Sequence, residues 1–396
     1  MPVVQRLASI DAYRGIVMFL MMAEVLELDK LAKAFPESSF CAWLRFHTTH
    51  VAWVGCSLHD MIQPSFSFLV GVSLPFSIAS RRKNGAGMGS MFLHAVWRGL
   101  LLVVLGIVLR SLGKTSTNFT FDDTLTQIGL GYCLLFLIAL TPRWNQMLSV
   151  LLLLGGYWLL FAMWPLVPAD FNYEAVGVPN DWPHLLTGFA AHWNKNTNPA
   201  CAFDVWFLNL FPRSEAFTAH PGGYATLSFV PTLATMTLGL LAGGVVAREA
   251  LTPKRSYGLQ VMLLATMGAA LVAGGWALDH FGICPNVKRI WTPAFALFSG
   301  GICFIWLGAL HAICDGWKLK AWVFPFMIFG SNSIVAYAMS WTLEKPLKEL
   351  LTRHLPHNTF FILGSSWEPV LLGSAVLLIM WLILLWLYRQ RIFVRI

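Results

Sequence analysis

Apolar residues fill this chain in long runs with no polar stripe, and the short gaps between the runs hold most of the charge. The runs cover approximately residues 15–28, 58–79, 95–112, 125–140, 147–164, 227–247, 259–278, 294–311, 321–341 and 369–388. A helix on the surface of a soluble domain has an apolar face and a polar one, whereas a helix apolar all round lies in lipid or in a deep core. A transmembrane helix needs about 20 apolar residues, within a range of about 17–25. The first and fourth runs are short and contain polar residues. The pattern predicts an all-α fold, a polytopic transmembrane bundle of about ten helices. It reads as one domain over residues 1–396 with a long loop at 165–226.

Composition removes the soluble alternative. Hydrophobic residues make up 57% of the chain and charged residues 12%, against about 45–50% and about 25% in soluble domains. The mean hydropathy is +0.64. The net charge of +8 does not point to nucleic acid, because Lys and Arg occur one to three at a time in the gaps, where they act as topology signals. With the N-terminus inside, the cytoplasmic segments hold Arg6, Arg14, Arg81, Arg82, Lys83, Arg143, Arg248, Lys254, Arg255, Lys318, Lys320, Arg389, Arg391 and Arg395. The other side holds slightly fewer, spread over the far longer loops at 28–57, 165–226 and 344–368. Density therefore predicts both termini in the cytoplasm and the 165–226 loop outside. The first apolar run begins only after Arg14 and lacks a small-residue cleavage site, so no cleavable signal is expected. The seven cysteines are odd in number and show no C-x-x-C spacing, so neither a metal site nor a disulfide framework is expected.

Ionisable residues inside membrane helices are costly and usually face a cavity or a partner. Asp11 and Arg14 are three apart at the start of the first run and can pair on one helix face; a structural ion pair at the interface is the simpler role. Glu24 lies about 15 Å further along a helix axis at ~1.5 Å per residue, which puts it past mid-membrane against a polar cavity or a partner. Alternatively, the first span ends early and Glu24 is interfacial. His50, Trp53 and Gly55 precede the second run, on which Asp60, Pro64, Phe68 and Gly71 form one stripe. Pro64 cannot donate a backbone bond, so this helix end offers a carboxylate and a freed carbonyl. A histidine beside a carboxylate is what general-base catalysis requires. Arg98, Gln127 and Asn332, the last in Gly330-Ser331-Asn332-Ser333, serve either helix packing or ligand contact. The 165–226 loop carries Trp182, Trp193, Trp206, His184, His192, His220 and the amide run Asn194, Asn196 and Asn198. That composition suits a surface closing over a polar ligand, with an interfacial aromatic belt as the plainer alternative.

The sequence resembles the heparan-α-glucosaminide N-acetyltransferase family of membrane acyltransferases, in a short bacterial form. Four segments carry the resemblance: 6–15, which reads R-x-x-S-x-D-x-x-R-G; His50-x-x-Trp53-x-Gly55 with Asp60, Pro64, Phe66, Phe68 and Gly71; Phe329 to Tyr337; and the tail Tyr388 to Phe393. The resemblance implies an acetyl-CoA-dependent N-acetyltransferase of the bacterial inner membrane. Such an enzyme moves acetyl from cytosolic acetyl-CoA to the amine of a glucosamine-type sugar outside, with His50 at its centre. Asp60 or Glu24 would orient His50. Arg14, Arg98, Gln127 and Asn332 would meet the donor, and Trp53, Asn194, Asn196 and Asn198 the acceptor. Direct transfer and an acetyl-histidine route both remain open. The family commonly carries an asparagine where this chain reads Ala23-Glu24-Val25. O-acetylation of an envelope glycan and sugar or ion transport are the alternatives. A homodimer is admitted, although nothing in the residues calls for one.

Overall fold

The computed structural model describes residues 7–251 and 257–394. Arg6, Lys254, Arg255 and Arg395, counted above among the inside charges, lie outside the described residues, as does the Arg248 side chain. Fifteen α-helices form among the described residues: α1 Ala8–Met22, α2 Leu28–Ala34, α3 Ser39–Thr48, α4 Ile62–Lys83, α5 Met88–Ser111, α6 Thr124–Ala139, α7 Arg143–Ala162, α8 Pro199–Leu208, α9 Phe229–Leu251, α10 Tyr257–His280, α11 Pro293–Leu310, α12 Phe324–Ser331, α13 Ser333–Thr342, α14 Glu344–His354 and α15 Glu368–Arg389. The β-structure among these residues is an isolated bridge between Val54 and Val287.

The all-helical, many-span architecture expected from the apolar runs is what forms. Seven helical stretches are long and apolar enough to cross a membrane, and a bent pair, Ala321–Ser331 with Ser333–Thr342, brings the number to eight. The two short runs become the 15-residue α1 and the 16-residue α6. At ~1.5 Å per residue each falls short of a hydrocarbon core of about 30 Å. The long spans α5, α7 and α15 expose Leu93, Trp97, Leu151, Leu152, Leu378 and Trp386, as helices facing lipid do.

Two predicted spans are corrected. The first begins at Ala8 rather than at residue 15 and ends at Met22. The residue at its N-cap, Leu7, makes no side-chain capping bond. Instead the Asp315 carboxylate accepts from the Ala8 and Ser9 amides at 3.0 and 3.2 Å, satisfying two of the donors a helix start leaves open. At the other end the chain tightens into a 3-10 turn, Ala23–Leu26, and Glu27 adopts φ +48°. The ninth span is broken by 68° at Asn332. The Asn332 side chain donates to Ile392 O at 2.8 Å and accepts from Val394 N at 2.9 Å. A side-chain amide bonded in this way to other backbone competes with helix continuation. Asn332→Ala removes both bonds, at about 1 kcal/mol each. The thermal midpoint in detergent is expected to fall, and the tail after residue 388 to become more sensitive to protease.

The chain divides into two compact units. One comprises Ala52–Cys56 and Gln63–Gly308. Its helices approach closely through glycine: a Cβ at Gly71 on α4 would meet Met236 O on α9 at 1.8 Å, and one at Gly239 would meet Phe68 O at 2.0 Å. Gly99 with Gly129 and Gly268 with Gly301 do the same for α5–α6 and α10–α11. Beside these helices, Trp53, Tyr157, Phe161, Trp193, Val287 and Ile290 form an aromatic core under the 165–226 loop. The second unit comprises Leu7–Val51, Ser57–Ile62 and 309–394. There Gly15 of α1 packs against the Phe326 backbone of α12, with Phe19 against Phe326 and Phe329.

Candidate functional site

His50 follows the end of α3, where the Thr48 and Thr49 hydroxyls each donate to a carbonyl four residues back at 2.8 Å. Asp60 stands in the 3-10 turn His59–Met61 that leads into α4, with Pro64 in the first turn of α4, a position helices tolerate. The Asp60 side chain is 1% exposed and its Oδ1 lies 2.8 Å from His50 Nδ1. Oδ2 accepts from Val51 N at 3.2 Å and Ser57 N at 3.1 Å, with the Ser57 hydroxyl at 3.0 Å. That hydroxyl in turn lies 2.8 Å from Thr49 O and accepts from the Asp60 amide at 3.2 Å. Two backbone N–H groups thus converge on Oδ2, and an ionised carboxylate can only accept, on Oδ1 as well. His50 Nδ1 is therefore the donor, and the basic lone pair of the ring is on Nε2. His50 is 39% exposed. The Asp60 carboxylate thus stands directly against the His50 ring.

Glu24 does something else. It lies in the turn after α1, not within a helix, and its Oε1 is 3.5 Å from His59 Nε2, with side-chain exposures of 53% and 13%. The first span ends early, as the alternative reading has it, and Glu24 stands against His59. His59 in turn faces His50, ring centroid to ring centroid 4.3 Å. Sequence reasoning misses His59 because it sits next to Asp60 in the same block; the signal was a second histidine beside an acid. Two carboxylate–imidazole pairs therefore meet in one unit.

The remaining predicted residues are held by their own surroundings. Arg14 is 3.8 Å from Asp11, as their spacing predicts. Arg98 donates to the Tyr132 hydroxyl at 2.9 Å and lies over its ring. Gln127 donates to Phe121 O, Thr226 O and Ala225 O. Trp53 Nε1 donates to Trp193 O at 3.1 Å. Asn194 pairs in both directions with the Leu186 backbone, Asn196 donates to Val176 O and His220 O, and Asn198 caps α8 and donates to Asn194 O. These amides build the loop. Backbone groups in a folded loop need partners, and these side chains supply several of them. Among the described residues, no group of three or more His, Cys, Asp or Glu is arranged to hold a metal ion.

A second cluster, Asp122, Asp204 and His220, lies outside the predicted set. His220 Nδ1 accepts from the Gly222 and Tyr224 amides, and Nε2 lies 3.2 Å from Asp122 Oδ2. Burial opposes ionisation of Asp122, but the His220 hydrogen bond and the Arg110 charge outweigh it and bring its pKa to about 2. Asp204 accepts from Thr226 N at 2.9 Å, and burial pushes its pKa up to about 6. Because the folded state holds this proton more tightly than the unfolded chain, the stability it contributes is full below the ordinary Asp range and is lost as pH rises through 6. The neutral side chain of Asp204→Asn is expected to raise the thermal midpoint at pH 8 and to leave it nearly unchanged at pH 4. The gain at pH 8 is on the order of 2–3 kcal/mol. Equal effects at both pH values would contradict this reading.

No protein-family model matches the chain. Human heparan-alpha-glucosaminide N-acetyltransferase is 22% identical over 425 aligned positions, covering 98% of this chain and 59% of the human protein. The mouse protein of the same name is 20% identical over 98% of this chain and 60% of its own length. Over nearly its whole length the chain is similar to these two proteins. Coverage of this extent includes both units, so the likeness to the heparan-alpha-glucosaminide N-acetyltransferases is not confined to one helix bundle. The chain spans about three fifths of the length of these curated relatives.

Proposed function

We infer that this protein is a membrane acetyltransferase that takes acetyl from acetyl-CoA on the cytoplasmic side and places it on the amine of a glucosamine-type sugar on the other. The bacterial inner membrane is the proposed location, with both termini in the cytoplasm. The observation that carries the reading is the His50–Asp60 pair at 2.8 Å, in a chain whose relatives are named N-acetyltransferases. Nε2 of His50 receives a proton from the attacking amine as nitrogen closes on the thioester carbonyl, and the buried carboxylate supports the imidazolium that forms. Returned to the leaving sulfur, that proton releases coenzyme A as the thiol. In the acetyl-histidine route the same Nε2 carries the acetyl group between the two partners.

Transport would favour interrupted helices in corresponding positions of two halves. One broken span, at Asn332, occurs among the described residues, which does not make such a pair.

Sealed vesicles containing the purified protein in the cytoplasm-in orientation, loaded with labelled acetyl-CoA and bathed in glucosamine, test the donor, the acceptor and the sidedness together. Labelled N-acetylglucosamine is expected outside. No transfer to any amino sugar, together with no coenzyme A binding, would overturn the reading.

A further inference from the structure

The Glu24–His59 pair has no part in the His50–Asp60 step, yet it lies against it. His59 Nε2 is 3.5 Å from Glu24 Oε1, the two imidazole rings are 4.3 Å apart and tilted by 52°, and His50 is bonded to Asp60. Other acidic groups nearby are engaged differently: Glu27 is 2.9 Å from Lys30 and 3.3 Å from Lys348. His47 Nδ1 accepts from the Leu58 amide. Among the described residues, the ionisable groups facing His59 include Glu24 from the turn after α1, His50 from the chain after α3, and Asp60 from its own turn. Two imidazoles this close repel one another when both are charged. A carboxylate behind each ring compensates a proton on either.

The chemistry of an amine acceptor gives this arrangement a use. Primary amines of this type have an ordinary pKa of about 8, so at neutral pH the acceptor arrives largely as an ammonium ion with no lone pair to attack with. N-acetylation therefore releases two protons from nitrogen, one before the N–C bond forms and one after. A single base that still holds the first proton cannot take the second until it has passed the first to water. We propose that His59, supported by Glu24, is the second base of this site and removes the first proton from the acceptor ammonium. This rests on the amine-acetylating function proposed above.

The steps balance as follows. The acceptor R–NH3+ gives one proton to His59, which passes it to water by way of the half-exposed Glu24. The resulting R–NH2 forms a bond from nitrogen to the thioester carbonyl carbon, and its next proton goes to His50. The C–S bond then breaks, and the proton on His50 goes to sulfur, yielding the amide and the coenzyme A thiol. In the acetyl-histidine route the first proton must likewise leave before nitrogen attacks, so the role of His59 is unchanged.

The test is the pH dependence of acetyl transfer to glucosamine by the wild type, His59→Gln and Glu24→Gln in detergent. His59→Gln is expected to be slowed at least tenfold at pH 6.5, and to approach the wild type above pH 9, where the amine is already neutral. Glu24→Gln should shift the profile in the same direction by less. With a weakly basic amine that is uncharged at pH 7, His59→Gln should match the wild type. A loss equal at every pH and with both amines would make His59 merely structural and overturn the inference, as would no loss at all. If His59→Gln does not fold, the pH profile of Glu24→Gln, at a half-exposed position, decides alone. Failure of the wild type to acetylate any amino sugar instead removes the function on which the inference rests.

Discussion

His50→Gln lowers the rate of acetyl transfer by about 10²–10⁴-fold, the usual contribution of a general base, and leaves coenzyme A binding in place. Asp60→Asn produces a loss of similar size by a different route. Two backbone donors, Val51 N and Ser57 N, converge on Oδ2. In asparagine the side-chain oxygen must take that position, because an NH2 group there would face two N–H groups. The NH2 then faces His50 Nδ1, which can only accept from it, so the ring proton moves to Nε2. The imidazole is held in place with its basic nitrogen turned to the introduced amide and none left for the substrate. Steady-state rates with acetyl-CoA and glucosamine, beside coenzyme A binding by calorimetry, distinguish these outcomes. Substantial turnover by Asp60→Asn would show that the tautomer does not matter, and substantial turnover by His50→Gln would move the chemistry elsewhere.

The parts of this arrangement that were legible in the sequence depend on local pattern. The apolar runs are long enough to be spans wherever neighbouring helices sit, so the helical membrane fold follows from the runs themselves. His50 and Asp60 are ten residues apart, and a histidine near a carboxylate is recognisable before the fold is known. Asn332 is visible as a polar residue where apolar ones are expected, although its function as a breaking point depends on the tail residues Ile392 and Val394, some 60 positions away in sequence.

What the sequence does not show about the other residues depends on long-range contacts or on where a helix stops. Glu24 reads as mid-membrane only if α1 continues. Its start is set by Asp315, 307 residues from Ala8, and its end by a 3-10 turn that no apolar count predicts. Once the helix stops at Met22, Glu24 meets His59. The run Asn194, Asn196 and Asn198 presents the converse problem. Amides in a loop look like ligand contacts, yet a folded loop has backbone groups of its own to satisfy, and these three side chains satisfy them. Polar residues therefore indicated that the loop is ordered without indicating for what purpose.

Gly71→Ala is the most damaging single methyl expected in this chain. Gly71 lies on α4, where an added Cβ would come within 1.8 Å of Met236 O, 2.6 Å of Leu240 N and 2.9 Å of Met236 C. All three atoms are backbone of α9, so no rotamer change can relieve the overlap and one helix must move away from the other. The contact is reciprocal, since Gly239 and Gly243 on α9 bring Cβ positions within 2.0 Å of Phe68 O and 2.5 Å of Val72 O. Separating the helices at one point therefore loosens a seam about two turns long on α9. Without a hydrophobic driving force in lipid, close packing of this kind is a main source of helix association. Overpacking costs about 1–3 kcal/mol and occasionally more, and a clash with backbone on both sides belongs at the upper end of that range. Gly274→Ala on α10 is the control, because nothing lies within 4 Å of its added Cβ and alanine is the better helix former by about 1 kcal/mol. Thermal midpoints in detergent should fall steeply for Gly71→Ala and hold or rise for Gly274→Ala. Equal stability of the two variants would mean that α4 and α9 are not packed backbone to backbone.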